Sequence, residues 1–254
     1  MTGQVLVVAA HPDDAELGVG GTVARLSRSG VTITLGFLAD GVSSRWDASV
    51  VETKVVSSVV CQRSRTNKVR QEIEAALGAR WGAALEAARS LGATLAELAD
   101  PGKLLPDQQM DAFPLLKVVK LVEALVSMAK PDVIYTHSLA DLNRDHRVTA
   151  EAVMVATRPA PGSGVRVVYA FETPSATEWG FGRFGEFRPT VYQEIGPVDW
   201  GAKMTALGCY KEEMRPYPHP RSVEAIEALA RCRGAQVGVE MAEAFELIRE
   251  VRYQ

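Results

Sequence analysis

No apolar stretch in the chain approaches the roughly 20 residues that a bilayer-crossing helix needs, so a membrane-spanning reading fails at the first step. Cysteine is scarce. Cys61, Cys209 and Cys232 are odd in number, far apart and never arranged as Cys-x-x-Cys, which argues against both a disulfide framework and a thiolate metal site. There is no long Lys/Arg run, and the formal net charge is −3. That balance gives no electrostatic footprint for nucleic acid or anionic lipid. It leaves room for a local basic pocket but suits a small neutral ligand better. No basic segment, apolar core and cleavage site precede the first strand, so a cytoplasmic location is expected. Internal repeats and low-complexity tracts are missing too, as is the elbow motif of a Ser or Cys nucleophile. Histidine is rare, with four in 254 residues, and its placement is the most informative feature of the chain.

Apolar residues make up 47% of the sequence and charged residues 23%, which is ordinary for a soluble globular protein and enough for a substantial core. No composition shift marks a boundary, so residues 1–254 are expected to form a single domain. Val5 to Ala10 is a continuous apolar, β-branched run, the pattern of a strand buried on both faces of a parallel sheet. From Glu16 to Ser29 apolar residues recur at helical spacing, Gly30 closes the helix, and Val31 to Leu38 reads as the next strand. This is a βαβ unit, whose first loop falls at the carboxyl edge of the sheet where open α/β folds bind ligands. Residues 47–70, poor in periodicity, read as an insertion or flexible loop. A helix over 71–91, a short strand over 93–98, a helix over 115–128 and a strand over 132–136 follow. Beyond them come a helix over 147–157, strands over 165–171 and 191–195, and helices near Ala202 and Val223. The class is α/β with a mostly parallel sheet.

Two strands end at histidine loops. The first loop is His11-Pro12-Asp13-Asp14-Ala15-Glu16. One imidazole and two adjacent carboxylates offer a divalent cation a nitrogen and an oxygen, with a carboxylate left over to take a proton from water. The competing reading is that Asp13 and Asp14 cap the helix that follows, and the two roles can coexist. The second loop runs from His137 through Asp141, Asn143, Arg144 and Asp145 to His146. With His146 the two loops supply a His/Asp/His set, which suits zinc and leaves a coordination position open. Spacing alone does not decide which of Asp13 and Asp14 is the ligand.

Both loops resemble the signature of the PIG-L/LmbE family of zinc-dependent N-deacetylases, most strongly over Val5 to Leu26 and Asp132 to Val153. The resemblance implies a Rossmann-like three-layer fold with helices on both faces of the sheet. It implies zinc, with iron(II) as the alternative, held by His11, Asp14 and His146, and Asp13 as the general base. It also implies a small N-acetylated sugar or glycoside as substrate and assembly into a homo-oligomer. One position departs from the pattern. Where many members carry a second histidine, two residues before the Asp-His pair, this chain has Asn143, an amide that can donate a hydrogen bond but not a proton at neutral pH. His219, in a Pro-rich loop, is the candidate substitute. Asp145 and His137 are expected to orient ligating imidazoles, with Asp141 either joining them or meeting substrate. Arg45 and Glu172 are the remaining substrate-contact candidates.

Three other readings have less support. Gly18-x-Gly20-Gly21 lacks the dinucleotide spacing, and two carboxylates before it would repel a pyrophosphate; close helix–sheet packing explains these glycines better. A non-catalytic metal- or sugar-binding protein has no need of a free base such as Asp13. Hydrolysis of a non-sugar N-acyl amide is separable only by testing substrates.

Overall fold

The computed structural model describes residues 3–46, 64–96, 104–160 and 164–252. The strands are β1 (Gln4–Ala9), β2 (Thr32–Phe37), β3 (Thr94–Leu95), β4 (Val133–His137), β5 (Val167–Phe171), β6 (Val191–Glu194) and β7 (Ala242–Glu250). The helices are α1 (Asp14–Arg28), α2 (Ser64–Ser90), α3 (Leu115–Ala129), α4 (Arg144–Ala156), α5 (Pro197–Gly208) and α6 (Val223–Val237). The seven strands form one sheet in the order β3-β2-β1-β4-β5-β7-β6. The strands β3, β2, β1, β4 and β5 run parallel, whereas β7 is antiparallel to both β5 and β6.

Alternation along β1 explains the layers. Val5, Val7 and Ala9 share one core with residues of α1 and α2, while Leu6, Val8 and Ala10 share the other with α3 and α4. Both faces are covered, as an all-apolar strand requires. The chain lays β2 and β3 on one side of β1 and then returns to place β4 on the other. Strand order therefore reverses between β1 and β4, and the crevice beyond their carboxyl ends is the switch point where such sheets bind ligands.

Close packing sets α1 against the sheet. A Cβ on Gly18 would lie 2.3 Å from Phe171 Cδ2, so the glycine there serves contact, as its spacing suggests. Two residues from elsewhere tie α1 in place. Lys203 Nζ donates to the Leu17 carbonyl at 2.8 Å, Glu243 accepts from the N–H groups of Gly21 and Thr22 at 2.9 and 2.7 Å, and the two side chains pair at 2.6 Å. This buried pair meets its desolvation cost through added hydrogen bonds to backbone.

The sequence reading differs at three places. Residues 64–70 belong to α2 rather than to a loop, while 47–63 lie outside the described residues. Of the expected strand over 93–98, Thr94–Leu95 pairs beside β2, while 97–98 lie outside the described residues. Strand β7 is an addition, its pattern obscured by alanines and by Glu243, which is buried for the reason just given.

Candidate functional site

The first loop leaves β1 at Ala10 and enters α1 at Asp14. Asp13 occupies the N-cap position in the left-handed region, with φ 111°, and its side chain makes no cap hydrogen bond. A non-glycine residue held there is strained, and such strain gathers at functional sites. The Asp13 carboxylate is turned elsewhere: it accepts from Arg221 Nη1 at 3.0 Å and lies 3.6 Å from Arg80 Nη2. Asp14 turns the other way. Its Oδ2 accepts the His11 backbone N–H at 2.9 Å and lies 3.2 Å from both His11 Nδ1 and His146 Nε2. The neighbouring carboxylates, alike in sequence, have separate surroundings.

His146 stands on the first turn of α4 with its ring nitrogens distinguished. Nδ1 donates to Asp141 Oδ2 at 2.9 Å, and Nε2 faces Asp14 Oδ2 at 3.2 Å. His137 Nε2 accepts the Ala10 N–H at 2.9 Å, which leaves Nδ1–H to Thr173 Oγ1 at 3.1 Å. The His137 ring is therefore neutral and fully committed, and it stacks on His146 at 3.9 Å between centroids. His11 Nε2 is flanked by Asp107 Oδ1 at 3.0 Å and Asp145 Oδ2 at 3.1 Å. Asp145 also accepts the N–H groups of Gln108 and Met110, at 2.8 and 3.0 Å, which docks the 107–110 loop against the site.

Each of the sets His11/Asp14/His146, His137/Asp141/His146 and His11/Asp107/Asp145 has its ligand atoms within 4.8 Å of one another. Only the first contains both of the unpartnered ligand atoms found in these sets among the described residues. Asp14 Oδ1 and His146 Nε2 are buried with no hydrogen-bond partner, a costly condition that a cation between them would relieve. Two imidazoles and a carboxylate, with outer carboxylates on the far nitrogens, are the donors zinc prefers. The residues fit the metal.

The electrostatics agree. Burial opposes charge on Asp14, but His146 and His11 hold its carboxyl well below the ordinary range. Burial opposes charge on His146 as well, yet Asp14 and Asp141 push it up to about 9. Asp107 is pulled down to about 2, against its burial, by the His11 hydrogen bond and charge. Asp13 goes the other way: burial raises it above the ordinary range even though Arg80 and Arg221 oppose the rise.

The other expected residues are spread around this centre. Asp141 is fully buried behind His146, where Thr177 Oγ1 also donates to it at 3.1 Å. Asn143 caps α4, its side-chain oxygen accepting the Asp145 N–H at 2.9 Å. His219 packs its ring on Trp179 at 5.5 Å, and its Nδ1 accepts the Arg221 N–H at 3.1 Å. Arg45 pairs with Glu212 and Glu213 at 2.8 and 2.6 Å. Glu172 is held bidentately by Arg233, both contacts at 2.7 Å. Sequence reasoning missed Asp107, Arg80, Arg221 and Glu213. Arg221 sits in the loop quoted for His219, but its reach to Asp13, across 208 positions, leaves no local signal.

Comparison with known proteins decides the family. The family model described as PIG-L, GlcNAc-PI de-N-acetylase, matches residues 6–157. The chain belongs to the PIG-L family. A protein named uncharacterized deacetylase YaiS, from Escherichia coli K12, is 25% identical over 215 residues, spanning 82% of this chain and 90% of its own length. The GalB structure, described as the 4-carboxy-2-hydroxymuconate hydratase of Pseudomonas putida KT2440, has a TM-score of 0.68 at 21% identity, covering 100% of this chain and 99% of its own. An N,N'-diacetylchitobiose deacetylase from Pyrococcus horikoshii has a TM-score of 0.64 at 17% identity, over 96% of this chain and 83% of its own. The last two share the fold with this PIG-L member, and the fold by itself does not choose between a hydratase and a deacetylase. No helix among the described residues is long and apolar enough to cross a membrane.

Proposed function

We propose that the chain is a metal-dependent hydrolase that removes the acetyl group from an N-acetylated amino sugar or glycoside. The observation that carries this reading is the division of labour between neighbours: Asp14 faces two imidazoles with unused donor capacity, and Asp13 is held apart by arginines. The deacetylase names of the Escherichia coli and Pyrococcus horikoshii proteins support it. A divalent cation bound by His11, Asp14 and His146, zinc by the choice of donors, supplies Lewis acidity toward an acetyl carbonyl and lowers the pKa of water.

The chain's own residues do the rest. Asp13 takes the proton from the attacking water, and burial lets it keep that proton long enough to pass it to the departing nitrogen. Arg221 and Arg80 fix the direction of its carboxylate. Asn143, with its oxygen used in the cap, has its amide N–H left for the developing oxyanion. His219 supports the Arg221 loop, which makes Arg221 the cationic donor closest to Asp13 in that loop.

The test is acetate release from a panel of N-acetyl sugars by the zinc-loaded protein and an Asp13→Asn variant. We expect turnover on at least one sugar, reduced by about 100- to 10,000-fold in the variant with zinc content unchanged. Turnover of the variant at the wild-type rate would remove Asp13 from the reaction. Release from none of the sugars by the loaded wild type overturns the substrate class.

A further inference from the structure

Glu212 and Glu213 are neighbours in the connection between α5 and α6, yet their side chains are 79% and 16% exposed. The difference lies in what each meets. Among the described residues Glu212 pairs with Arg45 alone, at the surface. Glu213 is met by three arginines from three separate parts of the chain: Oε1 accepts from Arg45 Nη2 at 2.6 Å and faces Arg80 Nη1 at 3.1 Å, and Oε2 accepts from Arg221 Nη1 at 3.3 Å. Arg80, Arg221 and Asp13 are 9%, 18% and 2% exposed, so their contacts with Glu213 are unlike the open surface pairs that contribute little. In the inner part of this network two guanidiniums face two carboxylates, Glu213 and Asp13.

Both inner arginines reach Asp13, and both reach the same oxygen. Arg221 Nη1 donates to Oδ2 at 3.0 Å, and Arg80 Nη2 lies 3.6 Å from it. Among the described residues Asp13 Oδ1 accepts no hydrogen bond. A guanidinium left alone with a carboxylate favours a fork that holds both oxygens, as Arg233 holds Glu172. At Asp13 that fork is broken up. Arg80 turns Nη1 to Glu213, while Arg221 divides Nη1 between the two carboxylates and gives Nε to Ser175 Oγ at 2.7 Å. A buried cation that loses its partner is costly, and without Glu213 the one anion that both arginines still touch is Asp13.

We propose that Glu213 is a positioning residue for the reaction. It occupies N–H groups of Arg80 and Arg221 that would otherwise close on Asp13, so the two arginines fix that carboxylate by Oδ2 and leave Oδ1 open to the attacking water. Arg45 holds Glu213 in place from the solvent side. The assignment rests on the reading of Asp13 as the base, and Glu213 itself touches neither the metal site nor the reacting atoms.

Crystal structures of the metal-free wild type and of Glu213→Gln, which keeps the shape but loses the charge and one acceptor oxygen, test the geometry without substrate. We expect Arg80 or Arg221 within hydrogen-bond reach of Asp13 Oδ1 in the variant and neither there in the wild type. Contacts at Asp13 that are the same in both would overturn the proposal. Kinetics on whichever N-acetyl sugar the zinc-loaded wild type turns over test the consequence. Glu213→Gln should lower kcat by about 100-fold, with KM and zinc content close to those of the wild type, and should add nothing to the loss in Asp13→Asn. A wild-type kcat in Glu213→Gln, or a loss carried undiminished into the Asp13→Asn background, would also overturn it. A wild type that turns over no sugar, in a protein whose arginines shift as expected, overturns the reaction reading alone.

Discussion

Asp141 Oδ2 meets His146 Nδ1 at 2.9 Å in the fully buried wall behind α4, and this contact leaves His146 Nε2 turned to Asp14. The imidazole is oriented before any cation arrives, and Asp141 keeps the proton on Nδ1 when a cation displaces the one on Nε2. Removing the charge behind the ring loosens it and makes its far nitrogen a poorer donor. Asp141→Asn should therefore weaken zinc binding by about 10- to 100-fold, measured by competition with a chromophoric chelator. Unchanged affinity would reduce Asp141 to a structural residue.

Proton competition gives a second prediction. His146 is raised from 6.5 to about 9 in the metal-free protein by Asp14 and Asp141, against its burial. A raised folded-state pKa means that the proton contributes stability fully below pH 6.5, and that this contribution is lost as pH climbs through about 9. A cation must displace the same proton. Zinc affinity should thus rise by about tenfold or more per pH unit across this window, while the metal-free protein becomes less stable. A flat affinity profile would contradict the protonated state.

Glu16 carries a third. Burial raises its carboxyl from 4.5 to about 7, and Tyr210 donates to Oε1 at 3.1 Å while Oε2 has no partner. Its folded pKa exceeds the unfolded one, so the protein loses stability as pH rises from 4.5 to about 7 and carries the full penalty above that. Glu16→Gln keeps an acceptor for Tyr210 and cannot ionise. The variant should melt higher than the wild type at pH values above 7, and the difference should vanish near pH 4. A difference of the same size at both ends would show that packing, not charge, is responsible.

Asp145 supplies a fourth. It accepts two backbone N–H groups of the 107–110 loop besides facing His11. Asp145→Ala strands those donors, and the metal-free protein should lose about 2–5 kcal/mol in urea unfolding. A loss under about 0.5 kcal/mol, the size of an ordinary surface substitution, would mean the loop is held by other contacts.

How much of this was legible in the sequence follows from the range of the interactions. The β1–α1–β2 unit and both histidine loops are local, so an apolar run, a helical period and a cluster of ligand types exposed them directly. His11, Asp14 and His146 came together because β1 and β4 are neighbours, as two strands ending in histidine had suggested. The opposite orientations of Asp13 and Asp14 were hidden, because they depend on Arg80 and Arg221 arriving from α2 and a distant loop. Asp107 was hidden for a related reason: it rides on a single bridge between Leu105 and Ala39, too short to impose any period. Strand β7 escaped notice because Glu243, which reads as solvated, is spent on α1 and Lys203.

Zinc titration of the metal-free protein, followed by calorimetry beside Asp14→Asn and His146→Ala, tests the central claim most directly. The account predicts one tight site per chain in the wild type, accompanied by proton release, with each variant weakened by orders of magnitude while still folded by circular dichroism. A folded wild type that takes up no zinc or iron(II), or variants that bind as tightly as it does, would contradict the assignment of these residues to a metal centre.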